Sequence, residues 1–121
     1  MVKKSKPAND NKALIYIEGE PPMVEEYAEI CSSHGYEVVV SWNSKPSSKL
    51  DSKSGIKVSE SIPKNCSLGI ELTNTDLAAK RKNLEKLDQS LPATSAILST
   101  SVAVAATEQA GWIKGRHRLV G

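Results

Sequence analysis

Residues 13–17, Ala13, Leu14, Ile15, Tyr16 and Ile17, form an unbroken apolar run that stops at Glu18 and Gly19. A run this short, with no polar alternation, suits a strand covered on both faces, as strands inside a parallel sheet are. Pro21 and Pro22 follow where a first helical turn can open, because the N–H that proline lacks has no partner there anyway. Met23, Tyr27, Ile30 or Cys31, and His34 then recur at helical spacing, and Gly35 closes the helix. Residues 37–42, EVVVSW, are β-branched and aromatic and read as a second strand. Strand, helix and strand within about thirty residues is the size of a βαβ unit, whose two strands run parallel.

The alternation continues to the end of the chain. Residues 43–55 are Ser, Lys, Pro and Asp with almost nothing apolar, and read as a loop. Residues 56–58 suit a short third strand and 67–72 a fourth. Asn74 or Thr75 is expected as the N-cap of a helix that carries Leu77, Leu84, Leu87 and Leu91 on one side and is stopped by Pro92. A strand at 95–99, a short helix from about Ala105 to Trp112 ended near Gly111, and the opening of a last strand at 118–120 complete the pattern. The predicted fold is α/β: a Rossmann-like, doubly wound, mostly parallel sheet. With 121 residues, 39% of them apolar, the chain can fill one modest core and not two. We therefore expect a single domain over residues 13–121 behind a polar N-terminal tail at 1–12.

Charge and cysteine content remove several function classes. Sixteen Lys+Arg against 14 Asp+Glu leave a net charge of +2, too little for the broad basic face that grips nucleic acid. Lys3, Lys4 and Lys6 read as a solvated tail. Two cysteines, Cys31 and Cys66, with no leading apolar run, point to a reduced, cytoplasmic protein without a disulfide framework. The longest weakly polar stretch, 93–106, is broken by Ser and Thr, so no membrane span is expected. Cys31 and His34 lie three apart on one helix, and Cys66 and His117 are conceivable partners. Neither Cys-x-x-Cys nor His-x-x-x-His spacing occurs, so no metal site is expected.

Four stretches carry a family resemblance: GIELTNTDLAAKR at 69–81, AILSTS at 96–101, TEQA at 107–110 and RLVG at 118–121. Together they resemble the second half of the NAD-binding domain of 3-hydroxyacyl-CoA dehydrogenases, including the 3-hydroxybutyryl-CoA enzymes. In the first half, Gly19 falls on the first glycine of the dinucleotide fingerprint and Trp42 on the acidic residue that ends the second strand. The resemblance implies a hydride-transferring enzyme that oxidises the 3-hydroxyl of an acyl-CoA with NAD.

Residue by residue, the chain departs from that implication. The second and third fingerprint glycines, which let the backbone approach the pyrophosphate and the helix pack close to the strand, are here Pro21 and Val24. Glu20, Glu25 and Glu26 place negative charge where a doubly anionic pyrophosphate would lie. Trp42 offers one N–H donor where a carboxylate would accept from the adenosine ribose. Val102 stands at the family's substrate-contacting serine, Thr100 at the preceding asparagine and Thr75 at a glutamate near the nicotinamide. The family's general-base histidine would come two positions beyond Gly121, and its orienting glutamate and C-terminal helical domain are likewise not in this chain. Without that base, alcohol oxidation has no proton acceptor in the expected place. Gly19, Glu71 and Lys80 are the residual cofactor-binding positions, and no catalytic or metal-binding residue is assigned. Lys80 could meet a ligand phosphate or, with Arg81 and Lys82, lie on the solvated side of its helix. Trp112 could anchor a partner or cover the edge of the core.

The expected function is thus a degenerate NAD-binding-type domain, non-catalytic, retained as a subunit or scaffold in a homo-oligomer or with a partner protein chain. No bound cofactor is expected, NAD binding being weak or absent. The alternative is part of an NAD-dependent 3-hydroxyacyl-CoA dehydrogenase completed in trans by another chain. A decayed product without function is the bland third reading.

Overall fold

The computed structural model describes residues 13–43, 56–101 and 104–121. The expected tail at 1–12, most of the 43–55 loop and the Val102 position lie outside them. Six strands form one sheet in the order β3-β2-β1-β4-β5-β6: β1 (Leu14–Gly19), β2 (Glu37–Trp42), β3 (Ile56–Val58), β4 (Leu68–Leu72), β5 (Ala96–Ser99) and β6 (Leu119–Val120). Every pairing is parallel. This is the expected doubly wound Rossmann-like α/β arrangement, with all of the described strands parallel.

Alternating side chains divide the core between the two faces of the sheet. On one face Ile15, Ile17, Val38, Val40, Ile70 and Leu72 pack against Val24 and Ala28 of helix α1 (Met23–Ser33). On the other, Tyr16, Val39 and Ile97 meet Leu84 and Leu87 of helix α2 (Leu77–Ser90), together with Leu91 and Ile113. The apolar run at 13–17 is continuous because β1 lies in mid-sheet and feeds both cores. Gly35 follows the end of α1 at φ +92, where its N–H reaches the Ser32 carbonyl and the Tyr36 N–H reaches that of Cys31. This satisfies carbonyls the helix leaves without partners, at a dihedral that glycine takes freely.

One boundary and one residue of the apolar stripe differ from the sequence reading. The N-cap of α2 is Asp76, not Asn74 or Thr75: its Oδ1 accepts from the Ala79 N–H at 3.1 Å from an extended backbone. Leu77 is the first residue of the helix and stays 44% exposed, so the buried stripe is Leu84, Leu87 and then Leu91. Helix α3 (Ala106–Ala110) ends at Gly111 as expected, and a single 3-10 turn (Arg116–Arg118) leads into β6. Trp112 packs half-buried against the second core, with the Arg81 guanidinium 5.8 Å from its ring centroid. That fits the core-edge reading.

Candidate functional site

The strand order reverses between β1 and β4, so the crevice beyond their carboxyl ends is where an open α/β sheet receives a ligand. Gly19 ends β1 there at φ +153, and a Cβ on it would sit 2.7 Å from the Leu72 carbonyl carbon. The two strands approach so closely at this point that only glycine fits. Val24, at the position of the third fingerprint glycine, is fully buried in the core between α1 and the sheet.

Glu20 does not leave the crevice open. One carboxylate oxygen, Oε2, accepts from the Asn74 N–H at 2.9 Å and from both the N–H and the hydroxyl of Thr75 at 2.6 Å. Partial burial pushes the Glu20 carboxyl up. The Thr75 hydroxyl and the backbone donors of Thr75 and Asn74 outweigh that and hold it below the usual carboxylate range. Beside it, the Trp42 indole Nε1 donates to Glu25 Oε1 at 3.1 Å, binding the end of β2 to the first turn of α1. Trp42 and Met23 both pack on the core beneath.

Glu71 and Lys80 are brought together, and neither faces solvent. Lys80 Nζ donates to Glu71 Oε1 at 2.8 Å, to the Thr73 carbonyl at 2.9 Å and to Thr100 Oγ1 at 3.0 Å. These three bonds use all three ammonium protons. The solvated reading of Lys80 is therefore corrected: its side chain is 1% exposed, because position 80 precedes Leu84 by one helical turn on the buried face of α2. Glu71 Oε1 also accepts from the Thr73 N–H at 2.9 Å, while its Oε2 takes the Thr73 hydroxyl and Asn83 Nδ2. Asn43 extends the network, donating to Thr73 Oγ1 and accepting from Asn83 Nδ2, each at 2.8 Å. The ends of β2, β4 and β5 are thereby tied to α2 by one continuous hydrogen-bonded chain.

The register sets Ser41, Glu18, Glu71 and Ser99 side by side across β2, β1, β4 and β5. Of this row sequence reasoning singled out Glu71 and missed Ser41, Ser99 and Glu18, although Glu18 closes the first apolar run. Lys86 reaches Glu18 at 3.5 Å and the Tyr16 hydroxyl at 3.1 Å, and Tyr16 donates to Glu18 at 3.2 Å. Burial pushes the Glu18 carboxyl up, and the charge of Lys86 opposes it. Burial, followed by the charge of Glu18, pushes the Tyr16 phenol up as well. A cleft of about 250 Å³ opens above the row, lined by Ser41, Trp42, Asn43, Lys82 and Asn83. Asn43, Thr73 and Asn83 carry no motif; only their convergence in the fold identifies them.

Of the residual positions expected to serve a cofactor, Gly19 lines the crevice, whereas Glu71 and Lys80 are spent on each other beneath it. Thr100 and Thr75 are likewise engaged, with Lys80 and with Glu20. Among the described residues no three of His, Cys, Asp and Glu cluster in a way that could hold a metal ion. No described helix is long and apolar enough to cross a membrane.

By sequence, no family model matches the chain, and no curated protein does. By structure it is similar to a 3-hydroxyacyl-CoA dehydrogenase from Archaeoglobus fulgidus, with a TM-score of 0.73 and 18% identity over 90% of this chain and 41% of that one. The (S)-3-hydroxybutyryl-CoA dehydrogenase of Ralstonia eutropha superposes with a TM-score of 0.76 and 19% identity, over 92% of this chain and 48% of the enzyme. A third structure, 5-formyl-3-hydroxy-2-methylpyridine 4-carboxylic acid 5-dehydrogenase, an NAD+-dependent dismutase, gives 0.75 and 17% over 91% and 43%. The chain thus shares the fold of a dehydrogenase domain and spans less than half the length of these enzymes. The likeness drawn from the four sequence stretches holds at the level of the fold.

Proposed function

We propose that this chain is a degenerate NAD-binding-type domain of the 3-hydroxyacyl-CoA dehydrogenase kind that binds no dinucleotide and serves as a subunit or interaction protein. The observation that carries this reading is the Trp42 to Glu25 hydrogen bond. The side chain at the end of β2, where the resemblance puts a ribose-binding carboxylate, is a donor already engaged with the helix that should receive the pyrophosphate. A ligand ribose would have to break that bond and would find an indole instead of an acceptor pair. Glu25 adds negative charge beside the N-terminus of α1, where a pyrophosphate needs the positive end of the helix.

Both edges of the sheet support the interaction role. Among the described residues β3 and β6 are the outer strands of the sheet, with Val58 63% and Val120 53% exposed, and an outer strand can offer backbone groups to another chain. Titration calorimetry of the purified chain with NADH and with an acyl-CoA, after its mass in solution is known, tests the proposal. The expected result is an oligomer or a captured partner and no heat of binding. Micromolar NADH binding would sink it and favour the alternative, part of an NAD-dependent dehydrogenase completed in trans by another chain.

A further inference from the structure

Glu20 lies on the loop after β1 and its three donors lie on the loop after β4, fifty-four and fifty-five residues later in the chain. Two successive backbone N–H groups and a hydroxyl turned toward one oxygen make a concave anion receptor, the arrangement backbone nests use for phosphate and carboxylate. Thr75 is exposed and Glu20 only half-buried, so the contact sits at the mouth of the crevice and not in the core. The chain is thus supplying a ligand to its own receptor.

We propose that Glu20 is a tethered internal competitor that closes an oxyanion site formed by Asn74 and Thr75, and that removing its carboxylate opens this site to a free anion. The ligand chemistry is a terminal oxyanion oxygen, from a phosphate or from a carboxylate. A side chain on a short tether presents its carboxylate at an effective concentration in about the millimolar range, so a dissolved anion must exceed that to displace it. The site is shut in the native chain at ordinary anion concentrations and opens when Glu20 is substituted. The proposal rests on the functional reading for its location only; the receptor is defined by its own three bonds.

The test follows the backbone amide resonances of Asn74 and Thr75 in the full-length, isotope-labelled chain. In Glu20→Ala, inorganic phosphate or acetate should shift both amides saturably, with a midpoint in the millimolar range and at least tenfold below any response of the native chain. Whichever anion acts at the lower concentration identifies the source of the oxygen. Glu20→Gln, which keeps a neutral acceptor on the same tether, should respond to neither. Where Glu20→Ala fails to fold, acid titration of the native chain decides. The two amides should then move together at a midpoint below that of an ordinary glutamate, and the step should be absent in Glu20→Gln. Amides in folded Glu20→Ala that ignore both anions, or native amides that do not follow Glu20, overturn the proposal. Micromolar NADH binding by the native chain overturns the functional reading instead, leaving the response of Glu20→Ala to be judged on its own.

Discussion

Lys80 donates to Glu71 across 2.8 Å, with the two side chains 1% and 0% exposed to solvent. A buried pair of this kind stands because every remaining proton and lone pair is engaged, here by Thr73, Thr100 and Asn83. It places the two residues that most resemble cofactor ligands beneath the surface a cofactor would touch.

Lys80→Met is expected to lower the free energy of unfolding by about 3–5 kcal/mol, because it strands a buried carboxylate. Urea denaturation measures this. Replacing both partners, Lys80→Met with Glu71→Leu, should cost less than the single change. A single variant that loses under 1 kcal/mol, on the order of a surface pair, would show that Lys80 reaches solvent in solution.

Gly19→Ala should cost at least about 1–3 kcal/mol through its backbone conformation. The 2.7 Å approach of the new Cβ to the Leu72 carbonyl carbon adds to that. The loss should appear as a lower midpoint of thermal unfolding. An unchanged midpoint would mean that β1 and β4 separate at their carboxyl ends.

Removing the indole donor in Trp42→Phe should cost about 0.5–1.5 kcal/mol. The loss should largely vanish in a Glu25→Ala background, which has no side-chain acceptor, and a double-mutant cycle reads this directly. NADH affinity should not appear in any of the three variants. Affinity gained in Trp42→Phe would assign the block to that side chain alone.

Glu18 gives the pH dependence a definite sign. Its carboxyl is raised on folding, chiefly by burial, so the native state holds the proton more tightly than the unfolded chain. This contribution favours folding in acid and is lost as pH climbs from the ordinary glutamate value through the raised one. Glu18→Gln should remove that step: equal to the native chain at the acid end, and more stable above it. Urea midpoints across the acid range check this, and a variant less stable at neutral pH would show that Lys86 outweighs burial.

The strands were legible because their apolar runs are short, continuous and bounded by Gly, Pro and charge; β2 falls on residues 37–42 as read. The burial of Lys80 was also legible in principle, since 80, 84, 87 and 91 recur at helical intervals on one face. A charged residue reads as solvated by default, and only the carboxylate of Glu71 on the neighbouring strand reverses that. The N-cap was misplaced because three capping residues stand in a row at 74–76. Glu20, bonding from a different loop, engages Asn74 and Thr75 and leaves the cap to Asp76. Such long-range partnerships leave no local trace, and the same holds for Asn43 and Asn83.

The bonded chain from Asn43 through Asn83, Glu71 and Lys80 to Thr100 has a mechanical consequence. In most ligand-binding domains the rim that receives the ligand belongs to the least stable part of the molecule, since it must open and reclose. Here that rim is cross-braced from the side of β2 to that of β5, so its amides should be among the last to exchange with deuterium. Looseness is left to the two short outer strands. A domain stiffened at that rim makes a poor clamp.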